Sequence, residues 1–240
     1  PHRADVLLQS VEEFKDFIVL NERKDGLVKL VVRNLADNSE NSVDFGEATY
    51  AASIGSTPDY NSKVFRYNYT SLTTPNSVYD YEVATKKKIL KKQLEVVGGY
   101  KAEDYVTERL MATAKDGTKV PISLVYKKGF KKDGNAPLLL YAYGSYGNSI
   151  DASFNSSRLT LLDRGFAYAI AHIRGGQEMG RQWYEDGKMM NKKNTFTDFV
   201  DCGEFLVKEK YTSSKHLYAQ GGSAGGLLMG AVINIAPNLW

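Results

Sequence analysis

The chain has 240 residues, of which 42% are hydrophobic and 25% charged, and its formal net charge is +3 at pH 7. This composition is ordinary for a soluble globular protein of one or two domains, and no apolar run is long enough to cross a bilayer. We therefore expect no membrane partner, and the short lysine clusters are expected to be solvated turns rather than a nucleic-acid surface. The single cysteine, Cys202, excludes an internal disulfide and favours a reducing, cytoplasmic compartment.

Residues 1–98 have the pattern of antiparallel β-structure. Residues 64–69 and 78–83 alternate with period two, and earlier apolar segments flank an Asp-Gly turn of the kind that hairpins use. Phe17 and Phe65 lie 48 residues apart, at the same place in a strand, turn and strand. This spacing is typical of β-propeller blades. Two copies also fit a generic antiparallel sheet.

Residues 99–240 change to alternating strands and helices, which predicts an α/β domain with a mostly parallel, doubly wound sheet. The domain opens with a hairpin, and Pro121 in its second strand predicts a sheet edge, because proline cannot donate to a ladder. Three later elements are a strand over 138–143, a helix over 157–164 and a helix opened by a capping box at 195–198.

The most informative motif is Gly221-Gly222-Ser223-Ala224-Gly225, between an apolar strand pattern and an apolar helix pattern. Strand, Gly-x-Ser-x-Gly and helix form the context of a nucleophile elbow, so Ser223 is the candidate nucleophile. The backbone N–H of Ala224 would be one donor to an oxyanion. A second donor is expected from the segment after the 138–143 strand, where residue types alone do not choose between Tyr141 and Tyr143.

The partners of Ser223 are missing from the chain. In this architecture the acid and then the histidine follow the serine, but residues 224–240 contain no Asp, Glu or His. Either the chain is a piece of a longer protein, which Pro1 in place of Met also favours, or the missing groups come from elsewhere. Without a base and its orienting acid, we expect residues 1–240 to be inactive by themselves. His2 is terminal, His172 lies in an apolar strand and His216 begins the elbow strand at its far end, so none is a suitable base.

Several other polar residues are interpreted as structural. Cys202 lies in an amphipathic helical stretch and is expected to be a packed thiol. Asp198 and Asp201 are attributed to helix capping and solvation. The segment 174–178 has adjacent glycines but lacks a Lys-Ser/Thr pair, so it is interpreted as a structural loop beside the site rather than a phosphate loop.

Taken in order, five segments of the second part resemble the prolyl oligopeptidase family of serine peptidases, and most of all its oligopeptidase B branch. They are residues 141–147, 149–154, 173–180, 182–188 and 221–227. The resemblance implies an incomplete α/β-hydrolase domain preceded by β-propeller blades. Residues 1–98 would then be the last blades of the propeller, and residues 99–240 the first part of the catalytic domain.

The same resemblance implies roles for individual residues. Ser223 would be the nucleophile, with Tyr143 and the Ala224 amide as oxyanion donors, and Asp151 and Tyr146 would contact substrate. The branch cleaves short peptides after Arg or Lys, and it often has a second Asp where this chain has Ser153, so a second basic subsite would be weakened. No cofactor or metal is implied.

Two alternatives remain open at this point. The chain could come from another α/β-hydrolase, such as an esterase or acyl-transfer enzyme without a propeller. It could also be a non-catalytic binding module that keeps the elbow as a relic. The expected partners under the first reading are short peptides, and the oligomeric state is left open.

Overall fold

The computed structural model describes Arg3 and residues 6–240, so His2 lies outside the described residues. The chain divides into two compact units. The first unit comprises residues up to 100 together with 151–154, and the second comprises residues 101–150 and 155–240. Within the described part of the chain, none of the helices has the length and apolar character that a membrane span requires.

The first unit contains two antiparallel sheets of four strands, and in each sheet the strands are neighbours in sequence order. The strands of the first sheet are β1 (Val6–Glu13), β2 (Phe17–Lys24), β3 (Leu27–Asn34) and β4 (Glu40–Ser42). Those of the second sheet are β5 (Tyr50–Ile54), β6 (Val64–Ser71), β7 (Ser77–Glu82) and β8 (Lys87–Gln93).

The 48-residue spacing corresponds to one such sheet. Phe17 opens β2 and Phe65 lies in β6, so both residues occupy the second strand of a four-stranded sheet. Along β6 the buried positions alternate with exposed or half-buried ones, which directs Phe65, Tyr67 and Tyr69 to one face. The two sheets share one apolar cluster, in which the rings of Phe17 and Phe65 lie 6.4 Å apart.

The second unit is an α/β unit built on a five-stranded sheet of order β13-β11-β12-β10-β9. The β11, β12 and β13 strands are parallel, and the β9–β10 hairpin adds two antiparallel pairings, so the sheet is mixed. Its strands are β9 (Tyr105–Thr113), β10 (Lys119–Lys127), β11 (Leu138–Tyr141), β12 (Ala167–Ala171) and β13 (Leu217–Gln220). Its helices are α1 (Ser156–Leu162), α2 (Arg181–Glu185), α3 (Lys192–Lys208) and α4 (Ala224–Ile235).

Helices cover both faces of this sheet. Successive residues of β12 point to opposite faces. On one face, the Arg158 guanidinium of α1 lies 4.0 Å from the ring centre of Tyr168. On the other face, Ala169 belongs to the main apolar core with Phe199 and Leu206 of α3. All five residues of β12 are buried, as expected for a strand covered on both sides.

The prediction that Pro121 marks a sheet edge is wrong, because β10 pairs with both β9 and β12. The register with β12 begins only at Ile122, opposite Ala171. Pro121 contributes only its carbonyl on that side, accepting from the backbone N–H of His172 at 2.9 Å. A proline is therefore accommodated in an interior strand, since it lies one position beyond the ladder that would need its N–H.

Three predicted element boundaries also differ. The third helix begins at Lys192, so Thr195 and Asp198 lie inside it and form no capping box. The first helix begins one residue earlier than predicted and is capped by Asn155, whose side chain accepts from the Ser157 N–H. The strand predicted over 138–143 ends at Tyr141.

Candidate active site

The elbow forms a sharp turn between β13 and α4. Ser223 has φ 55° and ψ −118°, a strained conformation for a residue with a side chain, which costs on the order of 1–3 kcal/mol. A Cβ atom on Gly221 would collide with the backbone carbonyl of Gly225, so only glycine fits at the start of the turn. The turn is closed by the Gly225 N–H, which donates to the Gly222 carbonyl at 2.8 Å.

The Ser223 side chain is exposed at the carboxyl end of β13. Ser223 is the N-cap residue of α4, but its hydroxyl caps no N–H of that helix. Ala224 is the first helical residue, so its amide belongs to the end of the helix that favours negative charge. The exposed hydroxyl and the helix N-terminus can therefore serve one reacting carbonyl group.

Tyr143 lies beside the elbow. It follows β11, the parallel neighbour of β13, and the Ala142 N–H donates to the Gln220 carbonyl at 3.3 Å. A Cβ on Gly225 would lie 3.0 Å from the Ala142 carbonyl oxygen and 3.7 Å from Cα of Tyr143. The first turn of α4 thus packs against the Ala142–Tyr143 backbone, whereas Tyr141 is the last residue of its strand.

Tyr146 lies on the loop that follows Tyr143. Its side chain is 78% exposed, and its φ of 59° is in the left-handed region. Its ring centre lies 6.4 Å from that of Tyr143. Two backbone donors anchor the rest of the loop: the Gly147 N–H donates to the Gly175 carbonyl, and the Ile150 N–H donates to a Glu178 carboxylate oxygen, both at 2.9 Å.

The 174–178 loop has the structural character that its sequence predicts, but its anchor was missed. Arg174 donates from Nε and a terminal nitrogen to the two carboxylate oxygens of Asp198, at 2.9 and 2.6 Å. Its backbone N–H donates to the same carboxylate at 3.0 Å. Asp116 binds the same guanidinium at 2.8 Å. Burial raises the pKa of Asp198 against the lowering effect of Arg174.

The attribution of Asp198 and Asp201 to capping and solvation is therefore wrong. Both side chains are buried, and Asp201 accepts the backbone N–H of Lys115 at 2.9 Å. The packed thiol expected at Cys202 is present. Cys202 is fully buried in the core, and burial raises its pKa, which keeps the thiol protonated and unreactive.

A serine, a histidine and a carboxylate that do not involve Ser223 lie together inside the second unit. The Ser123 hydroxyl is 2.7 Å from Nε2 of His172, and Nδ1 of the same ring is 4.0 Å from Glu178. All three side chains are at most 4% exposed, so no substrate can reach them. His172 is thus a core histidine, as predicted, and His216 precedes β13 at the end opposite Ser223.

Asp151 belongs to the first unit, where its carboxylate has a protein partner. The two terminal nitrogens of Arg23 donate to its two oxygens at 2.8 and 3.1 Å. The Arg23 side chain is only 3% exposed, and that of Asp151 is 35% exposed. No sequence motif points to Arg23, although a charged residue within a buried strand is a signal that a counter-ion is needed.

Comparison with known proteins identifies the family. The model described as "Prolyl oligopeptidase, N-terminal beta-propeller domain" matches residues 1–93, and "Prolyl oligopeptidase family" matches residues 152–240. The chain is 51% identical to dipeptidyl aminopeptidase BI of Pseudoxanthomonas mexicana over 237 residues, and this match covers 98% of this chain and 32% of that protein. It is 40% identical to protease 2 of Moraxella lacunata over 233 residues, and this match covers 97% of this chain and 34% of that protein.

A solved structure agrees with these relatives. Oligopeptidase B from Leishmania major matches with a TM-score of 0.89 and 40% sequence identity, over 100% of this chain and 35% of that one. The chain spans about a third of the length of the curated relatives it matches. Its four-stranded sheets are propeller blades and its second unit is an α/β-hydrolase unit. The chain therefore belongs to the prolyl oligopeptidase family and resembles its oligopeptidase B members.

Proposed function

We propose that this chain supplies the nucleophile and the oxyanion donors of a serine oligopeptidase. The observation that carries the proposal is the juxtaposition at the carboxyl ends of β11 and β13. There the exposed hydroxyl of Ser223 stands on a strained turn, and the first turn of α4 packs against the Tyr143 backbone. Parallel strands of an open α/β sheet direct their functional loops to this same edge.

The proposed reaction is acyl transfer. The Ser223 oxygen bonds to the carbonyl carbon of the substrate while its proton passes to an imidazole outside these 240 residues. Negative charge then develops on the carbonyl oxygen, where the Ala224 N–H and the Tyr143 hydroxyl would donate hydrogen bonds. Collapse breaks the C–N bond and releases the amine, which takes the proton from the imidazole. Water then hydrolyses the acyl-enzyme and regenerates the serine.

The proposed substrates are short peptides cleaved after Arg or Lys, which the resemblance to oligopeptidase B supports. A second specificity is favoured by one observation, the 51% identity to a protein named dipeptidyl aminopeptidase BI. Such an enzyme would require a free amino terminus two residues before the cut. We expect residues 1–240 alone to be inactive on either substrate, because the hydroxyl of Ser223 then lacks a base.

The test uses the full-length protein and its Ser223→Ala variant. We expect a fluorophosphonate probe to label the wild type and not the variant. N-blocked peptides with an internal Arg, compared with free dipeptidyl-Arg amides, separate the two specificities. Turnover of p-nitrophenyl esters without any peptide cleavage would favour another hydrolase. A folded full-length protein that the probe does not label would overturn the proposed function altogether.

A further inference from the structure

Lys192, the first residue of α3, is bonded to the loop that carries Tyr143. Its ammonium nitrogen donates to the Gly144 carbonyl at 2.5 Å and to the Ser145 hydroxyl at 2.6 Å. These two acceptors directly follow Tyr143 in sequence. The mechanism described above does not use this cation, and the sequence motifs do not point to it.

The ammonium group of Lys192 has no carboxylate partner among the described residues, and its acceptors are neutral. The charged groups on the adjoining segments are engaged elsewhere. Arg174 pairs with Asp198, Lys188 pairs with Glu185, and Glu178 accepts a backbone N–H from the Tyr146 loop. Burial alone lowers the pKa of Lys192. A half-buried ammonium without a counter-ion is costly to keep, which argues for more than a surface role.

The carbonyl that Lys192 holds belongs to a tightly enclosed residue. Gly144 has φ 66°, and a Cβ there would lie 2.5 Å from Cγ2 of Thr195 and 2.8 Å from Cδ1 of Ile173. Packing around its Cα thus confines Gly144, and the Lys192 cation bonds the carbonyl of the peptide between Gly144 and Ser145. Ile173 and α3 both contribute to the main apolar core. A site that must hold its geometry needs support of this kind.

We propose that Lys192 is a positioning residue for Tyr143: its ammonium group orients the Gly144 peptide and thereby the phenol that donates to the oxyanion. This inference rests on the proposed function. An oxyanion donor acts through a preorganised geometry, and displacement by about 1 Å can cost on the order of 10²-fold in rate. Loss of the ammonium should therefore lower kcat and leave substrate binding nearly unchanged.

The experiment uses the full-length enzyme with an Arg-amide substrate and three variants. Lys192→Met removes the charge but keeps most of the apolar stem, and Lys192→Arg keeps a cation that does not titrate. Lys193→Met is the matched control, because Lys193 is the exposed neighbour on the same turn. Each variant is characterised by kcat, KM, the pH dependence of kcat and thermal unfolding.

We expect Lys192→Met to lower kcat about tenfold or more with KM within about twofold, since positioning acts in the transition state. Lys192→Arg should stay within about threefold of the wild type at pH 8, because the cation is kept. In the wild type, kcat should fall at alkaline pH as Lys192 loses its proton below the usual lysine range, and Lys192→Arg should extend the plateau upward. Lys193→Met should behave as the wild type.

Equal kcat values for Lys192→Met and the wild type would overturn the inference. If Lys192→Met does not fold, the test is the fall of kcat at alkaline pH. The same alkaline fall in Lys192→Arg and in the wild type would overturn the inference. Fluorophosphonate labelling of the wild type separates this failure from that of the proposed function. A labelled Ser223 with an unaffected Lys192→Met variant removes only the role of Lys192.

Discussion

Arg23 and Asp151 form a two-bond ion pair within the first unit, with each terminal guanidinium nitrogen on a different carboxylate oxygen, at 2.8 and 3.1 Å. Asp151 is the residue for which sequence resemblance implies a contact with a basic substrate side chain. Its carboxylate already has a buried cation as partner, so a substrate cation would have to compete with Arg23. The same segment is held by Phe154, whose N–H donates to the Thr70 hydroxyl at 3.0 Å.

Removing the cation of this pair should destabilise the first unit. We expect Arg23→Met to lower the free energy of unfolding by about 2 kcal/mol, the usual range for a lost hydrogen bond to a charged group. Arg33→Met is the matched control, because its pair with Glu40 is about 40% exposed on both sides and should contribute less than about 1 kcal/mol. Urea denaturation of both variants measures the difference. Equal losses of unfolding free energy in the two variants would show that the burial of Arg23 does not strengthen its ion pair.

Alanine substitutions at Gly221 and Gly222, two glycines of the elbow, provide a second test with a matched control. Gly221→Ala places a Cβ against the Gly225 carbonyl, so the turn must open and move Ser223. At Gly222 a Cβ would meet nothing within 4 Å, so Gly222→Ala should be tolerated by the fold. We expect the rate of fluorophosphonate labelling in the full-length protein to fall at least about tenfold for Gly221→Ala only. Similar rates for the two variants would contradict the close approach described here.

The two tyrosines after Leu140 are distinguished by conservative changes. Tyr143→Phe removes only a hydroxyl, and we expect kcat of the full-length enzyme to fall by about 10²-fold, as for other oxyanion donors. Tyr141→Phe, on the last residue of β11, should change kcat by less than about threefold. Steady-state kinetics on an Arg-amide substrate give both values. The opposite order would transfer the donor role to Tyr141.

Acid should weaken the second sheet of the first unit through Asp80. Arg66 donates to both of its oxygens at 2.8 and 3.0 Å, and this bonding lowers the pKa of Asp80 below its usual value. Because the folded pKa is below the unfolded one, the stabilisation is complete above the unfolded value of about 3.9 and is lost as pH falls through the folded pKa.

The Asp80→Asn variant tests this assignment. We expect the variant to be less stable than the wild type at pH 7 and to lose less stability between pH 5 and pH 2. Chemical denaturation across that range measures the slope of stability against pH for both proteins. Parallel slopes would mean that Asp80 titrates alike in the folded and unfolded chain.

Some features of this chain follow from local pattern alone. The 48-residue spacing of Phe17 and Phe65 predicted repeated blades, and each residue lies in the second strand of a four-stranded sheet. The context around Ser223 predicted a strand, a tight turn and a helix, which the structure contains. Both predictions depend on periodicity and on steric limits within a few residues, and the local sequence determines both.

Tertiary structure decided the features that depend on distant partners. Thr195 and Asp198 have the residue types of a capping box, but Asp198 binds Arg174, 24 positions earlier, inside the helix. Asp151 is bonded to Arg23 and Lys192 to Gly144, pairs that no local pattern connects. A side chain's electrostatic role is set by what the chain topology brings within about 3 Å of it, whereas sequence periodicity reports only which face it occupies.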